Sequence, residues 1–172
     1  MFAEYMGDPV LGKEPNVQDP HLIVQSPSHP DILWTQHHNG VYKSEDRGTS
    51  WSAMDNLTPS AFGFAVCIHP EDPDKVWFVP AEKDEMRVPV DGQVVVNRTQ
   101  DGGSTWETVR EGLPQEDAYD LVLRHALNTD PKGEALAFGS TTGSLWVSEN
   151  HGARWSALSH HLPPVYSVVV TN

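Results

Sequence analysis

Ser44-Glu45-Asp46-Arg47-Gly48-Thr49-Ser50-Trp51 is an octet that returns twice in this chain, as Thr99-Gln100-Asp101-Gly102-Gly103-Ser104-Thr105-Trp106 and Ser148-Glu149-Asn150-His151-Gly152-Ala153-Arg154-Trp155. The shared pattern is Ser/Thr-x-Asp/Asn-x-Gly-x-x-Trp. Asp46, Asp101 and Asn150 stand 55 and 49 residues apart, and a period near 50 marks a repeat architecture. The local chemistry reads as a β-corner. Asp or Asn accepts a bond from an N–H two residues on, and the Ser/Thr hydroxyl ties into the same turn. The Gly (48, 103, 152) supplies a strained backbone position. The Trp (51, 106, 155) opens the returning strand and buries a large ring. Each octet follows a strand-like run: 41–43, 94–96 and 145–147.

The octet resembles the Asp-box, or BNR, repeat of sialidase-like β-propellers. Asp19-Pro20-His21, Gln36-His37-His38-Asn39-Gly40-Val41, Phe62-Gly63-Phe64 and Gly112-Leu113-Pro114-Gln115 extend the resemblance to bacterial BNR-repeat proteins of the glycosyl hydrolase type. The chain looks like the C-terminal half of such a protein. The resemblance implies an all-β fold of four-stranded antiparallel blades, with each octet joining the third strand to the fourth.

On that frame, residues 1–20 form an extended arm and 21–172 a single domain. The blades fall at about 21–56, 62–110 and 118–158. Their innermost strands lie near 22–25, 64–68 and 119–124, and an extra strand spans 165–170. The links at 56–59, 112–115 and 161–164 repeat a Pro-bearing pattern before Phe62, Tyr119 and Tyr166. Three blades and one strand do not close a ring, since propellers carry four to eight. The expectation is a partial propeller closed by self-association, as a homodimer, or completed by a missing half.

Composition narrows the function classes. Net charge is −13 over 172 residues, which argues against nucleic acid and anionic membrane surfaces as partners. The one cysteine, Cys67, excludes an internal disulfide. The start of the chain carries no basic, apolar leader pattern and no segment is apolar enough to span a bilayer, so a cytoplasmic protein is expected. No phosphate loop, dinucleotide fingerprint or nucleophile elbow is present, and no cofactor is expected.

Meandering sorts the loops to two ends. The octets share one end, where their Asp and Asn are structural. The other end gathers His37, His38, Asn39, the 81–92 excursion with Arg87, residues Glu116 and Asp117, and His161. Arg98 and Arg124 join them as candidate ligand-binding residues. The resemblance implies a sialidase-type site with a three-arginine clamp, for which Arg87, Arg98 and Arg124 are the available guanidinia, and a Tyr nucleophile. Glu116, Asp117 and Tyr119 are the candidate acid and nucleophile groups. The histidines lack zinc-type spacing, so no metal site is assigned. Two functions result: a non-catalytic propeller module taking a polar, carbohydrate-like ligand, or a glycoside hydrolase or half of one.

Overall fold

A computed structural model describes residues 19–171. The expected arm therefore lies outside the described residues up to 18, and its last residue, Pro20, already opens a strand. Twelve strands follow in sequence: β1 (Pro20–Gln25), β2 (Leu33–His37), β3 (Gly40–Ser44), β4 (Ser52–Ala53), β5 (Gly63–Ile68), β6 (Val76–Pro80), β7 (Val96–Thr99), β8 (Glu107–Val109), β9 (Leu127–Thr129), β10 (Leu136–Gly139), β11 (Leu145–Ser148) and β12 (Ser156–Ser159). They form three four-stranded antiparallel meanders, β1–β4, β5–β8 and β9–β12, which are the blades. β1 lies beside β5 and β5 beside β9, so the inner strands line a common hub. Among the described residues no helix is long and apolar enough to cross a membrane.

Two expected strands are corrected. The third inner strand is Leu127–Thr129, not 119–124. The apolar run Leu121-Val122-Leu123 serves instead as a link. Val122 is buried in the core, Leu121 O accepts from Thr141 N–H, and Leu123 O accepts from Ala126 N–H to close a turn before the strand begins. The extra strand over 165–170 is absent as a strand. Ser167 makes one isolated parallel bridge to His125, because the described residues supply no fourth sheet for it to join.

The corners close by a longer reach than an Asx-turn. Asp46 Oδ1 accepts from Ser50 N–H at 2.7 Å and Asp101 Oδ1 from Thr105 N–H at 2.8 Å, four residues on rather than two. The hydroxyls of Ser50 and Thr105 donate to the second carboxylate oxygen, each at 2.6 Å. The leading Ser44, Thr99 and Ser148 hydroxyls donate to the Asp or Asn and accept from the Gly N–H. The third corner explains its own departure. An Asn amide nitrogen cannot accept, so Asn150 needs no hydroxyl at position 154. Arg154 stands there, gives only its N–H to Asn150, and turns its guanidinium to Glu111.

These donors, led by Ser50 and Thr105, hold the Asp46 and Asp101 carboxyls below the usual carboxylate range. A depressed folded-state pKa contributes stability that is present above the unfolded value and lost as pH falls through the folded one. Tm measured across pH should thus be flat near neutrality and fall below about pH 4. Replacing both Asp46 and Asp101 by Asn should flatten that acid limb. An acid limb of unchanged slope would remove the corners from its cause.

The blades are locked to one another by a directional contact. In register, Leu33↔Ser44, Val76↔Thr99 and Leu136↔Ser148 are equivalent pairs. The next pairs along the strands are therefore Trp34↔Lys43, Trp77↔Arg98 and Ala137↔Val147. Trp34 donates its Nε1–H to Pro73 O of the second blade, and Trp77 donates to His151 O of the third. The cation beside each Trp crosses too: Lys43 Nζ lies 3.5 Å from Asp74, and Arg98 donates to His151 O at 3.0 Å. Each ring sits on the next corner's glycine. A Cβ built on Gly103 would stand 3.0 Å from Trp34, and one on Gly152 2.7 Å from Trp77. The third blade carries Ala137 and Val147 at these places, so it has neither ring nor cation at those two positions.

Two apolar clusters fill the interfaces. Trp34, Val41, Val66, Ile68, Val76 and Phe78 lie between the first and second blades, with Trp106 packed against them. The larger cluster, between the second and third, includes Trp77, Val79, Val96, Leu136, Phe138, Trp146 and Trp155. Cys67 belongs to it, and burial pushes its thiol up to about 12, leaving an inert core residue.

Candidate functional site

The loops of the blades fall at two ends. At the octet end, Arg47, Gly102 and His151 donate their N–H groups to Asp31, Asp74 and Glu134 carbonyls, tying each corner to the first turn of its own blade. At the opposite end, His38 N–H donates to Asp19 O and Ala81 N–H to Phe62 O. The hub mouth lies here, and all three blades contribute to it.

The mouth is built on two β-bulges at equivalent places. Pro20 pairs with His37 and Leu22 with Gln36, leaving His21 as the extra residue of β1. Gly63 pairs with Pro80 and Ala65 with Val79, leaving Phe64 extra in β5. A bulge re-aims its side chain. His21 and Phe64 accordingly stack across the first and second blades, with ring centroids 4.5 Å apart. Phe62 stands edge-on to His21, His38 and Phe64. Two guanidinium groups lie over the Phe64 ring: Arg87 at 5.3 Å, from the β6–β7 excursion, and Arg124 at 5.4 Å, from the link into the third blade. Arg124 also donates its Nε–H to His21 O at 2.7 Å, joining the third blade to the first.

His21 is buried, with Nδ1 2.6 Å from Gly63 O. A carbonyl can only accept, so Nδ1 carries the proton and Nε2 keeps its lone pair. Burial, with Arg124 nearby, holds the His21 pKa below its ordinary value, so the ring is neutral near pH 7. Its Nε2 lies 3.8 Å from Asp19 Oδ2, and His38 Nδ1 lies 3.7 Å from the same oxygen. His37 faces elsewhere, as alternation demands. It is fully buried, stands edge-on to Tyr42, and accepts from Asn39 N–H.

Of the residues singled out from sequence, His38, Arg87 and Arg124 come together at the mouth. Arg98 does not join them: it lies in β7, paired with Glu107 and reaching the third blade's corner. Glu116 and Asp117 are exposed on the link after β8, where Ala118 N–H donates to Gly92 O, and Tyr119 is 68% exposed. His161 is exposed, its N–H bonded to Ser159 Oγ, and Asn39 is exposed in the β2–β3 turn. Arg87 is further held by Asp84, which fixes the excursion's tip. Sequence reasoning considers His21 only as a histidine that could reach the hub beside His37 and one of His160 and His161 in a closed ring, and it assigns no site role to Asp19, Phe62 or Phe64. They stand in two of the phrases quoted above, but nothing in the sequence announces the bulges that turn His21 and Phe64 inward.

A cavity of about 620 Å³ runs down the hub. The inner strands line it through Leu22, Val24, Val66, Ile68 and Leu127, with Val168 from the C-terminal segment. Arg124, His125, Asn128 and Asp130 add polar groups to that lining, so the cavity is mixed in character and shares Arg124 with the mouth.

No known family model matches the chain, and no characterised protein matches it in sequence. Solved structures do match in shape. An ancestral GH74 enzyme is 16% identical with a TM-score of 0.64, over 81% of this chain and 18% of that one. The GH74 xyloglucanase of Xanthomonas campestris is 20% identical with a TM-score of 0.62, over 80% of this chain and 20% of that one. YCF48 from Cyanidioschyzon merolae is 19% identical with a TM-score of 0.55, over 81% of this chain and 39% of that one. This chain thus spans about a fifth of the GH74 enzymes and two-fifths of YCF48. At such identities the likeness speaks to fold alone, and together with the three meanders it establishes a partial β-propeller fold of three four-stranded blades among the described residues.

Proposed function

We propose that the chain is a non-catalytic Asp-box propeller module that binds a polar, carbohydrate-like ligand at its hub mouth and completes its ring by pairing with a second copy. The observation that carries the binding reading is the convergence of His21 and His38, Phe62 and Phe64, and Arg87 and Arg124 from three blades onto one patch. Phe64 is buried beneath the patch, and the exposed Arg87 and Arg124 forks with the half-buried Phe62 and His38 rings are the groups that suit a sugar ring bearing a carboxylate. Self-pairing is supported by the blade count and by exposed apolar groups on the first and third blades, Ile23 at 42% and Leu158 at 63%.

Two placements favour binding over hydrolysis. Arg98 is committed to the blade interface, so the described residues assemble two arginines rather than a three-arginine clamp. The candidate groups Glu116, Asp117 and Tyr119 sit on an exposed link rather than against the Phe64 patch. The hydrolase reading is kept as the second one because the GH74 neighbours are enzymes, one of them named a xyloglucanase.

Isothermal titration with sialyllactose, digalacturonate and a neutral xyloglucan oligosaccharide separates the readings. Binding of an acidic sugar without turnover is expected, weakened at least about tenfold by Arg124→Ala through loss of a charge-assisted contact. Turnover of a fluorogenic glycoside that disappears in Glu116→Ala would overturn the non-catalytic reading.

A further inference from the structure

We propose that Asp19, His21 and His38 form a binding site for a divalent first-row transition metal ion, of the Zn(II) type, at the hub mouth. The three side chains each present one donor atom, and these atoms lie within 4.8 Å of one another. The closest separations are 3.8 Å from His21 Nε2 to Asp19 Oδ2 and 3.7 Å from His38 Nδ1 to that oxygen. A tetrahedral ion with bonds of about 2.0–2.1 Å sets its donors about 3.3 Å apart. The two separations to Asp19 therefore need to close by about half an ångström, and the separation between the two histidine nitrogens by at most about 1.5 Å, to hold an ion.

The framework around the trio favours that contraction. Asp19 immediately precedes β1, His21 is the bulge residue of that strand, and His38 N–H donates to Asp19 O, so the three are fixed on neighbouring chain segments. His21 is only 6% exposed and has the outer bond a metal-binding histidine requires: Nδ1–H to the Gly63 carbonyl, which directs the Nε2 lone pair at Asp19. At 3.8 Å from Asp19 Oδ2 that nitrogen is too far for a direct hydrogen bond, which leaves its lone pair open to an ion between the two. Phe62 and Phe64 wall the site on its inner side. Two imidazoles and a carboxylate suit Zn(II), Co(II) or Fe(II) over calcium or magnesium, which prefer all-oxygen sets. Arg124, bonded to His21 O, offsets the Asp19 charge and leaves the ion's remaining positive charge to meet an anionic ligand in the open mouth.

The test uses the tag-free full chain, stripped with chelator and titrated with Zn(II), then with Co(II) read by visible absorption. One zinc per chain is expected. Asp19→Asn and His38→Ala should each weaken binding at least about tenfold, and His161→Ala should not. Asp19→Asn is isosteric at a half-exposed side chain, so it tests the site even if the buried His21→Ala fails to fold. Substoichiometric uptake at tens of micromolar zinc would overturn the proposal, as would uptake that survives Asp19→Asn and His38→Ala. The site lies inside the mouth used by the binding reading but is tested with metal alone. Zinc bound without any sugar bound would sink that reading and leave this one standing.

Discussion

Trp77→Ala is expected to cost about 3–5 kcal/mol of folding stability, the range for removing a fully buried Trp. Tm should fall on the order of 10 °C for a domain of this size. Trp77 is 2% exposed and spans two blades. Its ring stacks on His69 of its own blade, rests on Gly152 of the next, and donates to His151 O at 3.1 Å. Truncation opens a cavity inside the larger cluster and leaves the His151 carbonyl with Arg98 as its remaining donor. Urea unfolding reads the loss directly. A change below about 1 kcal/mol would mean that the ring is not what joins the second blade to the third.

Gly152→Ala should cost about 2–4 kcal/mol, for two reasons that can be separated. Its φ of +75° disfavours any Cβ, by about 1 kcal/mol. The new methyl would also stand 2.7 Å from Trp77 Nε1, in a packed interface where overfilling costs about 1–3 kcal/mol. Gly48 provides the comparison. It has φ +83°, yet among the described residues its nearest neighbours are atoms of its own Trp51, at 3.5 Å or more. Gly48→Ala should therefore lose only the backbone part. In a Trp77→Ala background the cost of Gly152→Ala should shrink toward that of Gly48→Ala, since the two sites share one contact. Equal losses at Gly48 and Gly152 would show that the corner glycine serves its own turn and nothing beyond it.

The octet made the blades legible because its chemistry is local. Ser44, Asp46, Gly48, Ser50 and Trp51 bond to one another within eight residues, so their spacing carries the fold. The lock between blades was not legible. Trp34 and Trp77 become equivalent only once the β2–β3 and β6–β7 registers are known, and the third repeat breaks the pattern with Ala137. The third inner strand was misplaced for a related reason. Leu121, Val122 and Leu123 are as apolar as a buried strand, but hydrogen bonding to Thr141 and Ala126 takes them as a link. At the mouth, chain ends and charge singled out His38, Arg87 and Arg124, while His21 and Phe64 depend on bulges that a sequence does not display.

The third blade's plain face gives the account its sharpest consequence. Ala137 and Val147 end the run of Trp and cation locks, and three blades fall short of a closed ring. Light scattering of the eluting protein at micromolar concentration weighs the completed body directly. The account predicts twice the 19.1 kDa chain mass, reduced to one chain by Leu158→Glu on the exposed side of β12. A monodisperse 19.1 kDa species that unfolds cooperatively would contradict it.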